Sequence, residues 1–402
     1  MGKAINRRRF LQSSLAGAVT ATSLGATLGN AIAAPRTSAD DRILVIVELS
    51  GGNDGLNSVV PYGDDAYYRH RPTIGIKPED VLKLDDHYGL NPGMLGFERL
   101  WQSGDLAIVH GCGYANPSYS HFNSMAYWHT ATPNGGDEYG WVGRLADALA
   151  PNPTPDLLIN IDSAQSLAVK SRLHTPVVFD DPDRFQRKGF RQQRELLDAV
   201  GDTTADNASA RYLNAVALSA RSASARIRQA WAEYSTPIDY GIAPIDLPKV
   251  AACIAHGMPT RLYYVAFRNN AFDTHVQQPA LHRRLLSYAC DGIHGFIRDM
   301  QRIGYGDKVA VLVFSEFGRR VPENSNLGTD HGSANVMFLA GKPVIGGHYG
   351  LPPSLTDLVS GDNLQFTVDF RRVYATAIEG WLQSHKAQEV LKGSFESLAV
   401  FA

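Results

Sequence analysis

Cysteine is scarce: the 402 residues contain three, Cys112, Cys253 and Cys290, and no CxxC pair. Thiols so few and so scattered exclude a disulfide-stapled scaffold and a cysteine zinc site. An excess of either charge is missing too. The chain sets 38 Lys+Arg against 40 Asp+Glu, which leaves no basic footprint of the kind nucleic acids require. Four of the basic groups (Lys3, Arg7, Arg8, Arg9) fall in the first 33 residues, where no acid occurs, so the rest is mildly acidic at 34 against 40. No G-x-G-x-x-G follows a strand-like run, and Gly51-Gly52-Asn53-Asp54-Gly55 leads into polar loop rather than helix, which disfavours a nucleotide-cofactor oxidoreductase. Internal repeats are lacking, and no segment beyond the N-terminal region is long and apolar enough for a membrane span. What is present, 44% hydrophobic residues with 37 Gly and 21 Pro, is ordinary globular composition. Its length suffices for one elaborated α/β domain or for two domains.

The N-terminus reads as an export address. Residues 1–34 place a basic head before a weakly apolar Ala/Gly/Ser/Thr/Leu stretch and a small-residue site, Ala31-Ile32-Ala33. Arg7-Arg8-Arg9-Phe10-Leu11 follows the twin-arginine pattern, so the expected partner is the twin-arginine export machinery and the expected location periplasmic or secreted. The stretch is too polar for an anchor helix. Cleavage after Ala33 would leave a mature chain, 34–402, with no membrane span.

Six apolar runs rich in β-branched residues read as buried strands: Ile43–Leu49, Leu106–His110, Leu157–Ile161, Leu262–Phe267, Val309–Phe314 and Val336–Leu339. Helical periodicity separates them, at Met94–Gln102, Phe122–Thr130, Pro279–Ile303 and Phe370–Gln383. The alternation predicts an α/β fold with a doubly wound, mostly parallel sheet. Residues 186–235, rich in Arg, Ala, Gln and Ser, read as a helical insertion or cap broken at Gly201–Asn207.

The chemistry lies in what borders these runs. The first leads to Asp54, the fourth to Asp273-Thr274-His275, the fifth to Ser315-Glu316-Phe317-Gly318-Arg319, and Asp330-His331 precedes the sixth. Ligands of open α/β sheets bind beyond the strands' carboxyl ends. Taken singly, Asp54-Gly55 reads better as a turn, Asp273 as a helix cap and Glu316 as an ion-pair partner for Arg319 or Arg320. Together, carboxylates and imidazoles delivered to one edge suit a divalent metal, Zn²⁺ or Mn²⁺ more than Ca²⁺. Asn116-Pro117-Ser118-Tyr119-Ser120-His121-Phe122 follows the second run and opens a helix, where a hydroxyl has unpaired backbone N–H groups beside it. Ser120 is the candidate nucleophile, with a plain N-cap as the competing reading and Ser118 as the alternative hydroxyl. His121 reads as a packing or orienting residue.

ELSGGNDGLNSVVPYGDDAYYRHRPTIGI, NPSYSHF, FDTH and FSEFGRRVPENSNLGTDHG, in this order over residues 41–385, resemble the bacterial domain-of-unknown-function 1501 family. That family is grouped with the alkaline phosphatase, sulfatase and phosphoglycerate mutase superfamily. The resemblance implies a doubly wound sheet, one or two metal ions and a hydroxyl nucleophile at a helix N-terminus. By motif, it implies metal-ligand roles for Asp54, Asp273, His275, Glu316, Asp330 and His331, and the nucleophile role for Ser120. Arg319 is the candidate contact to an ester's equatorial oxygens. The chain departs from the superfamily pattern at Glu316-Phe317, where an Asp-His pair is usual. Cys112 lacks the following Pro and Arg that a formylglycine site would need.

Two functions follow. One is an exported metal-dependent hydrolase of phosphate or sulfate esters, acting on a small ester or anionic substrate. The alternative is a non-catalytic periplasmic binding or assembly protein on a degenerate fold of the same kind.

Overall fold

In Ile43–Glu48 (β1) every residue is buried. Successive side chains point to opposite sides of a strand, so continuous burial requires cover on both faces. A computed structural model of the protein describes residues 41–185 and 223–401. It places β1 inside a nine-stranded sheet. The other strands are Leu106–Gly113 (β2), Leu158–Ile161 (β3), Val177–Phe179 (β4), Leu262–Ala266 (β5), Val309–Phe314 (β6), Asn335–Ala340 (β7), Gly347–Tyr349 (β8) and Val368–Asp369 (β9). The order is β8-β2-β7-β6-β1-β5-β3-β4, with β9 pairing β2 alongside β8. β1 is parallel to both neighbours, with Leu44 opposite Leu262 and Ala310.

The helices Leu95–Gln102 (α1), His121–Thr130 (α2), Trp141–Leu149 (α3), Leu247–Ala255 (α4), Gln278–Arg302 (α5) and Phe370–Ala375 (α6) cover the sheet. Ile43, Val45 and Val47 face α1 and α5 through Phe97, Leu100 and Ile293. Leu44 and Ile46 face α2, α3 and α6 through Trp128, Leu145 and Tyr374. The fold is therefore a doubly wound, mostly parallel α/β sheet.

β7 departs from the sequence reading. Val336–Leu339 was expected as a parallel strand, but it runs antiparallel to both β6 and β2. The reason is local: no helix lies between Phe314 and Asn335, and a parallel return needs a long crossover. The chain stays at one edge, forms the small ladder Gly318–Arg319 with His331–Gly332, and re-enters from that edge. The signal-like residues 1–33 and the expected helix break at Gly201–Asn207 lie outside the described residues. From the insertion, 223–233 is helical and buries Ala223 and Ile227 in the main core.

Candidate metal centre

The edge to which β7 returns is also where β1, β2, β5 and β6 end, and four loops meet there. The loop after β1 turns at Gly51 and Gly52 with φ of 120° and 75°. A Cβ at Gly52 would stand 2.1 Å from the Phe317 ring, and one at Gly51 2.5 Å from the Asp273 amide. Only glycine permits so tight a seat. It lets the Gly51 amide donate to Glu316, 2.9 Å from Oε1.

Asp273, after β5, sits at the centre of the cluster. Its Oδ1 lies 3.0 Å from His275 Nε2, 3.1 Å from His331 Nε2 and 2.8 Å from Arg319 Nη2; Oδ2 lies 3.4 Å from His121 Nε2. His121, Asp273 and His331 each place one ligand atom within 4.8 Å of the others, the arrangement of a metal-binding group. His275 joins them, its Nε2 being 2.9 Å from His331 Nε2.

The tautomers follow from the outward contacts. His331 Nδ1 is 2.7 Å from the Tyr119 carbonyl oxygen, which can only accept, so Nδ1 carries the proton. His121 Nδ1 donates to Glu316 Oε1 at 2.8 Å, and His275 Nδ1 to Asp330 Oδ1 at 3.3 Å. Three imidazoles thus direct Nε2 lone pairs toward Asp273, each held from behind by a carboxylate or carbonyl, as metal-ligating histidines are. Two lone pairs facing each other at 2.9 Å repel unless a proton or cation lies between them. His121 Nε2 is buried and makes no hydrogen bond to any described residue. An orphaned ring nitrogen, facing lone pairs and a carboxylate form the donor set of a divalent ion of the zinc type.

The electrostatics agree. The hydrogen bond to Glu316 raises the His121 pKa against the cost of burial, helped by the charges of Glu316 and then Asp273. Burial would raise Asp273, but His331, Arg319 and His275 outweigh it and hold the carboxyl well below its usual range. Three carboxylates (Asp273, Glu316, Asp330) outnumber the guanidiniums of Arg319 and Arg320 beside them, a balance that favours a cation.

The structure thus brings together Asp273, His275 and His331, with Asp330 behind His275 and Glu316 behind His121. Glu316 is fully buried, its carboxylate committed to His121, the Gly51 amide and Ser315. Two expected site residues differ from expectation: Asp54 stands elsewhere, and Arg319 stands in the cluster with its donors already committed. Asp54 is fully buried in a separate polar knot: it accepts from Arg71 at 2.7 Å and Gln278 at 2.6 Å on Oδ2, and from the Asn57 amide on Oδ1. Burial raises its carboxyl, but Arg71 and His282 overcome this and hold it low. Arg319 is 1% exposed, and its donors go to the carbonyls of Gly51, Gly52, Phe272 and Thr329, to Asp273 and, from Nη1 at 3.4 Å, to His275 Nε2. That leaves it no donor for the equatorial oxygens of a substrate; it clamps the loops that carry Asp273.

Ser120 is exposed and occupies the N-cap position of α2, but its side chain makes no cap hydrogen bond. It lies between Tyr119, whose carbonyl holds His331, and His121. The Ser118 hydroxyl accepts from the Ser120 amide at 3.3 Å. His121 is the residue that sequence reasoning undervalued. Its ring rests on Phe317, with centroids 4.9 Å apart, and bonds Glu316, so α2 supplies an imidazole beside Phe317.

The profile of a family described as a protein of unknown function, DUF1501, matches residues 41–392. No protein of curated function matches the sequence. Among solved structures, a phosphonate monoester hydrolase from Silicibacter pomeroyi is 10% identical, with 89% of this chain and 75% of that chain aligned at a TM-score of 0.38. The lipoteichoic acid synthase LtaP of Listeria monocytogenes is 10% identical over 83% of this chain and 76% of its own, at 0.36. A protein of the alkaline phosphatase superfamily from Vibrio parahaemolyticus is 9% identical over 77% and 62%, at 0.35.

Proposed function

The chain belongs to the DUF1501 family, whose function is unknown, and from the chemistry of its own site we propose that it is a metal-dependent hydrolase of phosphate or sulfate esters with Ser120 as nucleophile. The observation that carries the reading is the convergence of three Nε2 lone pairs on Asp273, each imidazole fixed by an acceptor at Nδ1.

Asp273, His121, His275 and His331 would hold the ion. When bound, a divalent cation supplies positive charge for the transferring group and lowers the pKa of a nearby hydroxyl. Glu316 and Asp330 keep the imidazole protons on Nδ1, so that the Nε2 atoms stay available. Ser120 stands at the amino end of a ten-residue helix, whose first-turn N–H groups lack helical partners and suit the anionic oxygens of an ester. Its Oγ would bond to phosphorus or sulfur as the ester oxygen leaves with its carbon group and takes up the proton the hydroxyl gives up, released as an alcohol. Water then releases the acid and restores the hydroxyl.

Export through the twin-arginine route belongs to the same proposal. Among the described residues no helix is long and apolar enough to cross a membrane. A second reading, a binding or assembly protein without turnover, is favoured by the commitment of Asp54 to Arg71 and of Arg319 to carbonyls. The deciding experiment is elemental analysis of mature protein purified without chelators, coupled to turnover of aryl phosphates and sulfates. One ion per chain with turnover supports the hydrolase. Bound metal without turnover across the panel supports the second reading, and no metal at all removes the metal centre from both.

A further inference from the structure

The polar knot around Asp54 does not end at Arg71. Gln278, the first residue of α5, carries it to the metal centre. The Asp54 carboxylate, paired with Arg71 at 2.7 Å, can only accept, so the Gln278 carboxamide must turn Nε2 toward it, at 2.6 Å. Oε1 then faces the other way. There it accepts from two hydroxyls, Thr274 Oγ1 at 3.1 Å and Thr329 Oγ1 at 2.7 Å. Asp54, Arg71, Thr274, Gln278 and Thr329 are all buried, so bulk solvent does not stand in for a lost partner.

These two threonines belong to the ligand motifs. Thr274 lies between Asp273 and His275, and Thr329 immediately precedes Asp330-His331. Asp273, His275, Asp330 and His331 are half-buried, whereas both threonines are closed off from solvent. Each loop thus turns its ligands to the site and its hydroxyl inward. Between the threonines the backbone contact is long, 3.4 Å from the Thr329 amide to the Thr274 carbonyl, but the two hydroxyls share one acceptor. The helix end is tied to the second loop as well, since the amides of Gln277 and Gln278 donate to the Asn326 and Leu327 carbonyls at 2.9 and 2.8 Å. α5 runs for 25 residues and buries Leu285, Leu286 and Ile293 in the main core, so its first residue is a fixed point. A metal site gains affinity when its ligands are held in place by partners on rigid elements.

We propose that Gln278 is a positioning residue of the metal centre: its carboxamide, aimed by Asp54 and Arg71, grips the Asp273–His275 and Asp330-His331 loops through the Thr274 and Thr329 hydroxyls. The proposal rests on the metal-centre reading and not on the turnover of esters. It gives the acid that follows the first strand a part in the site without making it a ligand.

The test uses the full mature chain with Co²⁺ and Zn²⁺ as probes. Thr274→Val and Thr329→Val remove the hydroxyls at nearly constant size; Thr274→Ser and Thr329→Ser keep them. Each Val variant should bind either ion about tenfold more weakly by calorimetry, the loss typical when a partner supporting metal ligands is removed. The visible absorption of the Co²⁺ form should change in the Val variants, and the ¹⁵N signals of His275 and His331 should move in the metal-free protein. The Ser variants should return all three readings close to wild type. Gln278→Leu should match the two Val changes together, and the Thr variants decide the matter if it does not fold. A lower melting temperature with unaltered affinity, absorption and histidine signals overturns the proposal, because Gln278 would then serve stability alone. Ser variants as impaired as the Val variants also overturn it. Wild-type protein that takes up neither ion removes the metal centre and the positioning role with it, whereas wild-type binding shared by every variant removes the positioning role alone.

Discussion

Ser120 separates the two meanings of its position. A serine that caps a helix through its hydroxyl costs about 1 kcal/mol when replaced by alanine, but the Ser120 side chain caps nothing. Ser120→Ala is therefore expected to leave the melting temperature within experimental error, to retain bound metal, and to abolish turnover of aryl esters. Unchanged turnover would move attention to Ser118. His282 gives the second prediction at this scale. Burial lowers its pKa to about 4, with Asp54 pulling up and Arg71 down, against an unfolded value near 6.5. The unfolded chain then binds the proton first as the pH falls. Stability contributed by the neutral ring is full above about 6.5, declines down to about 4, and changes no further below it. Denaturant titrations at a series of pH values should show a shallower decline over that window for His282→Gln than for wild type. Equal slopes would mean that His282 takes no part in acid destabilisation.

At the scale of elements, the apolar runs made the sheet legible, because strands buried on both faces carry continuous β-branched sequence. Asp273, His275 and His331 were also visible, as polar residues bordering such runs. His121 was not: a lone His at a helix start looks like packing until Glu316 and Phe317 are seen against it. Asp54 and Arg319 were misjudged for one common reason. Their partners, Arg71 and Gln278 for one and the loop carbonyls for the other, are set by tertiary contact that no local spacing announces. β7 misled because an apolar strand carries no mark of its direction. The Gly51-Gly52 turn yields a prediction here. Gly52→Ala would force the Phe317 ring off the new Cβ, and with it the imidazoles of His121 and His331 that rest on that ring. The expected result is at least tenfold weaker metal binding by calorimetry, with a stability loss of about 1–3 kcal/mol. Unaltered affinity would show that Phe317 does not position the ligands.

At the scale of the whole molecule, the N-terminal head and the mature fold make a joint expectation. Arg7→Lys with Arg8→Lys keeps the basic charge and removes the pair that the twin-arginine route reads. Precursor should accumulate in the cytoplasm, seen by fractionation and blotting; an unchanged periplasmic yield would assign export to another route. The ligand set has a consequence for that journey. His121, the Asp273–His275 loop and His331 come from three separate stretches of the chain and meet only when the sheet is complete. An unfolded chain holds them as scattered side chains with no chelating power, so folding must precede capture of an ion. A protein that crosses the membrane already folded would arrive with its choice made. The metal it carries would then report the supply inside the cell rather than the competition outside.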